Sequence, residues 1–232
     1  MALSRGLKIG IAVPIVAAVA AIAAGLIWRG EYPTKQSVER SFVIEQDFTK
    51  VRKIMVRTNA AKEIVTMGGG SEFVEQQWDD VSAEPGVKSK IGEGAIAEAL
   101  LKNVLGEPTW ELKLDGTLKV RTLDEYIGQH VVTLEQAVEI NADQIQSDTQ
   151  LIEGAGRLLD YVMMTRLERE EDHTLVTLTL TQEINTDAPW FAHGIADRRV
   201  RASADKTLEN QEVAMRRLIE DNQDKDWLFP LN

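Results

Sequence analysis

Twenty consecutive residues, Ile9 to Trp28, carry no charge, and no other stretch constrains the chain so strongly. As a helix at about 1.5 Å per residue the run would be about 30 Å long, the thickness of a bilayer's hydrocarbon core. It predicts a transmembrane anchor from Ile9 through Leu26 to Trp28. Pro14 falls within the first two turns, where a missing amide donor costs little. Arg5, Lys8 and the Ala21-Ile22-Ala23 triplet also suit a cleaved signal peptide. The apolar run, however, continues past that triplet and exceeds the roughly 7–15 residues of a signal-peptide core. Trp28 and Tyr32 stand where an interfacial aromatic belt would fall.

Orientation is nearly balanced, with Arg5 and Lys8 before the span and Arg29, Lys35 and Arg40 after it. A short N-terminal tail before a long C-terminal domain favours an extracytoplasmic domain, periplasmic if bacterial. The chain then divides into a tail (1–8), a single-pass anchor (9–28), a linker (29–39), an α+β domain (40–222) and an apolar C-terminal tail (223–232).

About 200 residues after the anchor suffice for one domain with its own core. The formal net charge is −11, and setting aside Arg5 and Lys8 leaves −13 on the remainder. That balance excludes nucleic acid as a partner and argues against broad docking on anionic lipid. The chain has no cysteine, which excludes disulfides, a thiol nucleophile and thiolate metal sites.

Arg40 to Gln46 alternates as a strand with Phe42 and Ile44 on one face, and Asp47 reads as the N-cap of a helix bearing Phe48, Val51 and Met55. Asn59 caps a second short helix that stops at Gly68-Gly69-Gly70, a turn without the flanking Lys-Ser/Thr of a phosphate loop. Phe73 to Trp78 reads as a strand, Ser82 to Gly94 as a loop and Ala95 to Leu105 as a helix. From Thr109 the pattern turns to β, with Asp115-Gly116 predicting a hairpin turn between Leu112–Leu114 and Leu118–Val120. Val131–Ile140 pairs with Gln144–Glu153, and Arg157–Glu168 with Thr174–Ile184. Leu159, Tyr161, Met163 and Leu167 share one face, as do Val176, Leu178, Leu180 and Ile184, which predicts an antiparallel sheet with one buried side. A long helix from about Ala188 to Asn222 follows, N-capped by Asp187, with Ala204, Leu208, Met215, Leu218 and Ile219 as its apolar stripe.

The strand Ser41-Phe42-Val43-Ile44, the Asp47-Phe48-x-x-Val51 helix start, the hairpins from Thr109 to Ile184 and the closing helix resemble the START-like (SRPBCC) superfamily in their order. The resemblance implies a helix-grip fold, in which a curved antiparallel sheet grips the last helix around an apolar cavity. The Ser82–Leu105 stretch departs from that plan as an insertion.

The sequence carries no recognised catalytic or metal-binding motif. His130, His173 and His193 lie in different elements. The expectation is no catalytic residue, no metal and no cofactor. In a helix-grip interior Tyr161, Met163, Leu178, Leu180, Trp190 and Phe191 would line the cavity, though the same residues could equally fill a core. Three functions stay open: a membrane-anchored domain binding a hydrophobic small molecule or lipid, an accessory subunit of a membrane protein complex, and an enzyme of the cyclase or hydrolase kind.

Overall fold

The structure is a computed structural model and describes residues 30–83, 87–89, 111–124 and 127–225. The expected anchor (9–28), the expected helix Ala95–Leu105 and most of the apolar tail lie outside these residues. Among the described residues, no helix is long and apolar enough to cross a membrane.

The described chain runs β1 (Pro33–Ile44), α1 (Phe48–Arg57), α2 (Ala60–Gly68), β2 (Ser71–Ala83), β3 (Val87–Ser89), β4 (Leu112–Thr122), β5 (Val131–Ile140), β6 (Gln144–Leu151), β7 (Leu158–Glu170), β8 (His173–Asn185) and α3 (His193–Glu220). The strands form one antiparallel sheet in the order β1-β8-β7-β6-β5-β4-β2-β3. Its inner face carries the alternation read from sequence: along β8, Val176, Leu178, Leu180 and Ile184 are all buried.

The caps behave as their chemistry dictates. Asp47 accepts from the Thr49 amide at 2.8 Å to start α1, and Asn59 accepts from the Lys62 amide to start α2. Gly69 ends α2 in the left-handed conformation, φ 71°, which glycine adopts without Cβ strain. Along α3, Val200, Ala204, Leu208, Met215, Leu218 and Ile219 form the buried stripe. Arg216 fixes the helix to β1, donating to the Val43 carbonyl at 2.8 Å and lying 4.8 Å from the Phe42 ring centre.

Several expectations are corrected. Residues 33–39 are not linker but the first part of β1, paired with β8 from Pro33↔Asn185 onward. Pro33 is tolerated because it opens an edge strand. Asp115-Gly116 is not a turn but the middle of β4, where β2 crosses at a bulge between Trp78 and Asp80. A Cβ at Gly116 would meet the Gln77 carbonyl oxygen at 2.2 Å, so close backbone approach, not turning, requires the glycine. A second bulge between Leu158 and Asp160 shifts β7 by one residue, burying Leu158 and turning Leu159 outward. β2 extends to Ala83 and pairs with β3 where a loop was expected. Asp187 does not cap α3: it sits at φ 44° and binds Arg157 at 3.1 Å, and a 3-10 turn, Trp190–Ala192, intervenes before the helix.

Candidate ligand cavity

The buried apolar residues divide into two clusters. One gathers Phe48, Val51, Leu167, Val176, Leu178, Leu208 and Met215 where α1 and the second half of α3 meet the sheet. The other gathers Leu118, Val120, Val132, Leu134, Leu158, Ile184 and Val200 towards the start of α3. Tyr161 packs against both. Between them, enclosed by the sheet, α2 and α3, lies a cavity of about 1160 Å³.

Strand register dictates what faces it. Residues directly opposite one another across the sheet run Trp78-Gly116-Gln136-Thr149-Met163-Leu180-Val38 from β2 to β1. The next inward row contains Leu114-Val138-Ser147-Thr165-Leu178. A band of uncharged polar side chains therefore crosses mid-sheet: Gln136, Ser147, Thr149 and Thr165, all lining the cavity. Gln76 joins it, donating from Nε2 to Gln136 Oε1 at 2.8 Å, and Gln136 Nε2 donates to Ser147 Oγ at 3.3 Å. Gln136 is only 6% exposed. Around the band the wall is mostly apolar, with Met55, Ile64, Trp78, Leu118, Ile145 and Met215 among its residues.

Tyr161 has no hydrogen-bond partner among the described residues, and its side chain lines the cavity. Burial pushes its hydroxyl up to about 12, so at neutral pH it keeps its proton and can donate it to a guest. The charged lining residues Glu75, Arg199 and Lys206 are exposed and mark the rim. Asp124, also on the wall, is engaged locally: it accepts from the Ile127 amide at 3.1 Å and from Ser203 Oγ at 2.9 Å.

Of the residues expected to line a cavity, the structure places Tyr161 and Met163 on its wall. Leu178 and Leu180 are fully buried in the first apolar cluster and are not wall residues. Trp190 and Phe191 lie outside, 75% and 51% exposed, because the 3-10 turn carries them off the end of the sheet before α3 begins. The polar band went unread in the sequence. Its signal is polar residues at inward positions of otherwise apolar alternation, as at Gln136 between Leu134 and Val138.

The histidines do not converge. His130 packs against Gly128 and Gly156, His173 opens β8 beside Glu170 and Asp172, and His193 stacks on Tyr32. Among the described residues no group of three or more acids and histidines is placed to hold a metal ion.

No family model matches the chain, and no curated protein matches it in sequence. Solved structures match it in fold. A Staphylococcus aureus protein of unknown function superposes with a TM-score of 0.50 at 9% identity, over 83% of this chain and 98% of that one. A Thermus thermophilus protein gives 0.47 at 12% identity, over 82% of this chain and 100% of that one. Truncated norcoclaurine synthase from Thalictrum flavum gives 0.43 at 12% identity, over 81% and 94%. At these identities the likeness is one of fold: an antiparallel sheet closed by the long C-terminal helix α3, the helix-grip arrangement.

Proposed function

We propose that the domain binds a hydrophobic small molecule or lipid that carries a neutral hydrogen-bonding group, and that residues 9–28 hold it at a bilayer, with the domain extracytoplasmic. The observation that carries this reading is a largely apolar cavity of about 1160 Å³, crossed mid-sheet by the Gln76–Gln136–Ser147 chain, Thr149, Thr165 and the Tyr161 hydroxyl, while Asp124 and Gln182 on its wall are bonded to the protein itself. An apolar wall with a few convergent polar groups favours a guest by removing its hydrocarbon from water and fixes its orientation through the polar end. The band is amide and hydroxyl throughout, so it suits an alcohol, ester, ketone or quinone oxygen better than an ionised headgroup, whose buried charge would lack a counter-ion. Binding rather than turnover is the role these groups fit.

The test is extraction of the full-length protein, purified in detergent, followed by mass spectrometry of what leaves it. It is paired with displacement of Nile red by 1-dodecanol and by dodecane. A co-purifying apolar compound, and displacement in which the alcohol outcompetes the alkane, support the reading. A protein that binds neither probe and copurifies stoichiometrically with other membrane proteins would instead serve as an accessory subunit.

A further inference from the structure

Three bulky apolar residues lie exposed within six positions at the start of α3: Trp190 (75%), Phe191 (51%) and Ile195 (48%). The two rings meet edge to face, 5.8 Å apart, so they form one surface. We infer that this patch, with Arg198 and Arg199, is a docking surface for the lipid bilayer, seating the domain on the membrane with the cavity rim beside it.

The first argument is where the chain comes from. Tyr32 is fixed to this end of the domain: its ring stacks on His193 at 3.5 Å, and its carbonyl accepts from the Thr186 amide and hydroxyl, both at 3.0 Å. Only three residues, Arg29, Gly30 and Glu31, lie between Tyr32 and Trp28, the end of the apolar run, a reach of at most about 14 Å. If the run spans a bilayer, as the proposed function has it, the span leaves the membrane next to the exposed rings. Tryptophan and its neighbours belong at that depth, where an amphipathic ring meets the headgroups.

The second argument is charge. Around the patch Arg198, Arg199 and Arg201 stand among three acids, Asp187, Asp197 and Asp205, of which Asp187 is paired with Arg157. Asp197 accepts from the Tyr32 hydroxyl at 3.1 Å and from Thr34 at 3.2 Å and so helps fix Tyr32 here. Arg198, Arg199 and Arg201 are exposed. A local basic rim around apolar side chains complements lipid phosphates although the domain as a whole is acidic.

The third argument is the route to the cavity. Ile195, Arg199, Ala202 and Lys206 share one face of α3 at helical spacing, and the last three line the cavity. Docking through Ile195 therefore brings the rim to the headgroup layer, one turn away, where a hydrophobic guest can pass between bilayer and domain with little exposure to water.

The test uses the absence of native cysteine. Full-length protein carrying Phe191→Cys, labelled with bimane, is reconstituted into vesicles of phosphatidylcholine and phosphatidylglycerol with 5-doxyl phosphatidylcholine as quencher. Ile195→Cys serves as a second reporter on the patch. Val213→Cys, exposed on the same helix face about 27 Å further along, is the control. Docking predicts loss of most of the fluorescence at 191 and 195, background quenching at 213, and recovery at 191 when Trp190→Asp is added. Flotation of the same vesicles reads the anchor separately. Protein that floats with equal, weak quenching at 191, 195 and 213 overturns the docking surface and leaves the anchor standing. Protein that does not float overturns both.

Discussion

Gln76 and Gln136 reach across β4 to bond each other at 2.8 Å, over a strand that presents Gly116 and Leu118 at those positions. Each amide is thereby held in one orientation, and Gln136 passes the chain on to Ser147. The pair is the fixed polar point of the cavity. Gln136→Leu removes the acceptor for Gln76 and the donor to Ser147. Affinity for 1-dodecanol is expected to fall about fivefold, the worth of one hydrogen bond near 1 kcal/mol, with dodecane unaffected or tighter. Nile red displacement reads both, and an equal loss for alcohol and alkane would mean that the substitution deforms the cavity.

Gly116 leaves the room this bridge needs. A Cβ there would sit 2.2 Å from the Gln77 carbonyl oxygen and 2.9 Å from the Trp78 Cα, both backbone atoms that yield only if the bulge moves. Gly116→Ala is expected to lower stability by about 1–3 kcal/mol, read from the urea midpoint. Gly68→Ala is the control. Nothing lies within 4 Å of its added Cβ at the end of α2, so no loss is expected.

The misreading of Asp115-Gly116 shows how much the sequence could have told. A two-residue turn there would place Leu118 and Val120 on the opposite face from Leu112 and Leu114, whereas one continuous strand keeps all four inward, as observed. Alternation was the stronger signal and the dipeptide the weaker. The strands β5 to β8, the Asp47 and Asn59 caps, the Gly69 stop and the α3 stripe were legible because each rests on local chemistry and period. The cavity was not. Periodicity says that Met163 and Leu178 both point inward, but whether a residue meets a neighbour or a void depends on how far α2 and α3 stand from the sheet. Trp190 and Phe191 read as interior from hydrophobicity alone, and only the geometry of the 3-10 turn puts them outside.

Glu212 joins the sheet edge to α3, accepting from Arg40 and, at 2.9 Å, from Arg216. Burial alone would push its carboxyl up, but the hydrogen bonds from Arg40 and Arg216 together outweigh it and hold the carboxyl below the ordinary value. A lowered value means that the folded state holds this proton less tightly than the unfolded one. The stabilisation is therefore present above the ordinary glutamate value of 4.5 and is lost as pH falls through the lowered folded value. Glu212→Gln is expected to cost about 1 kcal/mol or less at pH 7, since Arg40 and Arg216 are partly exposed. The gap in urea midpoint between the two proteins should close at low pH. A gap that does not narrow at all as pH falls below 4.5 would show that shape, not charge, is what the glutamate contributes.

The Tyr161 hydroxyl has no partner among the described residues, and that separates its two roles. Removing the hydroxyl in Tyr161→Phe strands no donor or acceptor, so stability at pH 7 should change little. At high pH the two proteins should part. Burial raises the hydroxyl from its ordinary 10.0 to about 12, so the unfolded chain loses this proton first and wild-type stability falls as pH rises from 10 towards 12. The variant lacks that loss, a difference on the order of 2 kcal/mol by pH 12. Binding runs the other way: at pH 7 the variant should hold 1-dodecanol several-fold more weakly, because the guest oxygen loses a donor, and dodecane equally well. If Tyr161→Phe matches wild type for the alcohol while Gln136→Leu does not, the guest's polar end lies at the glutamines alone.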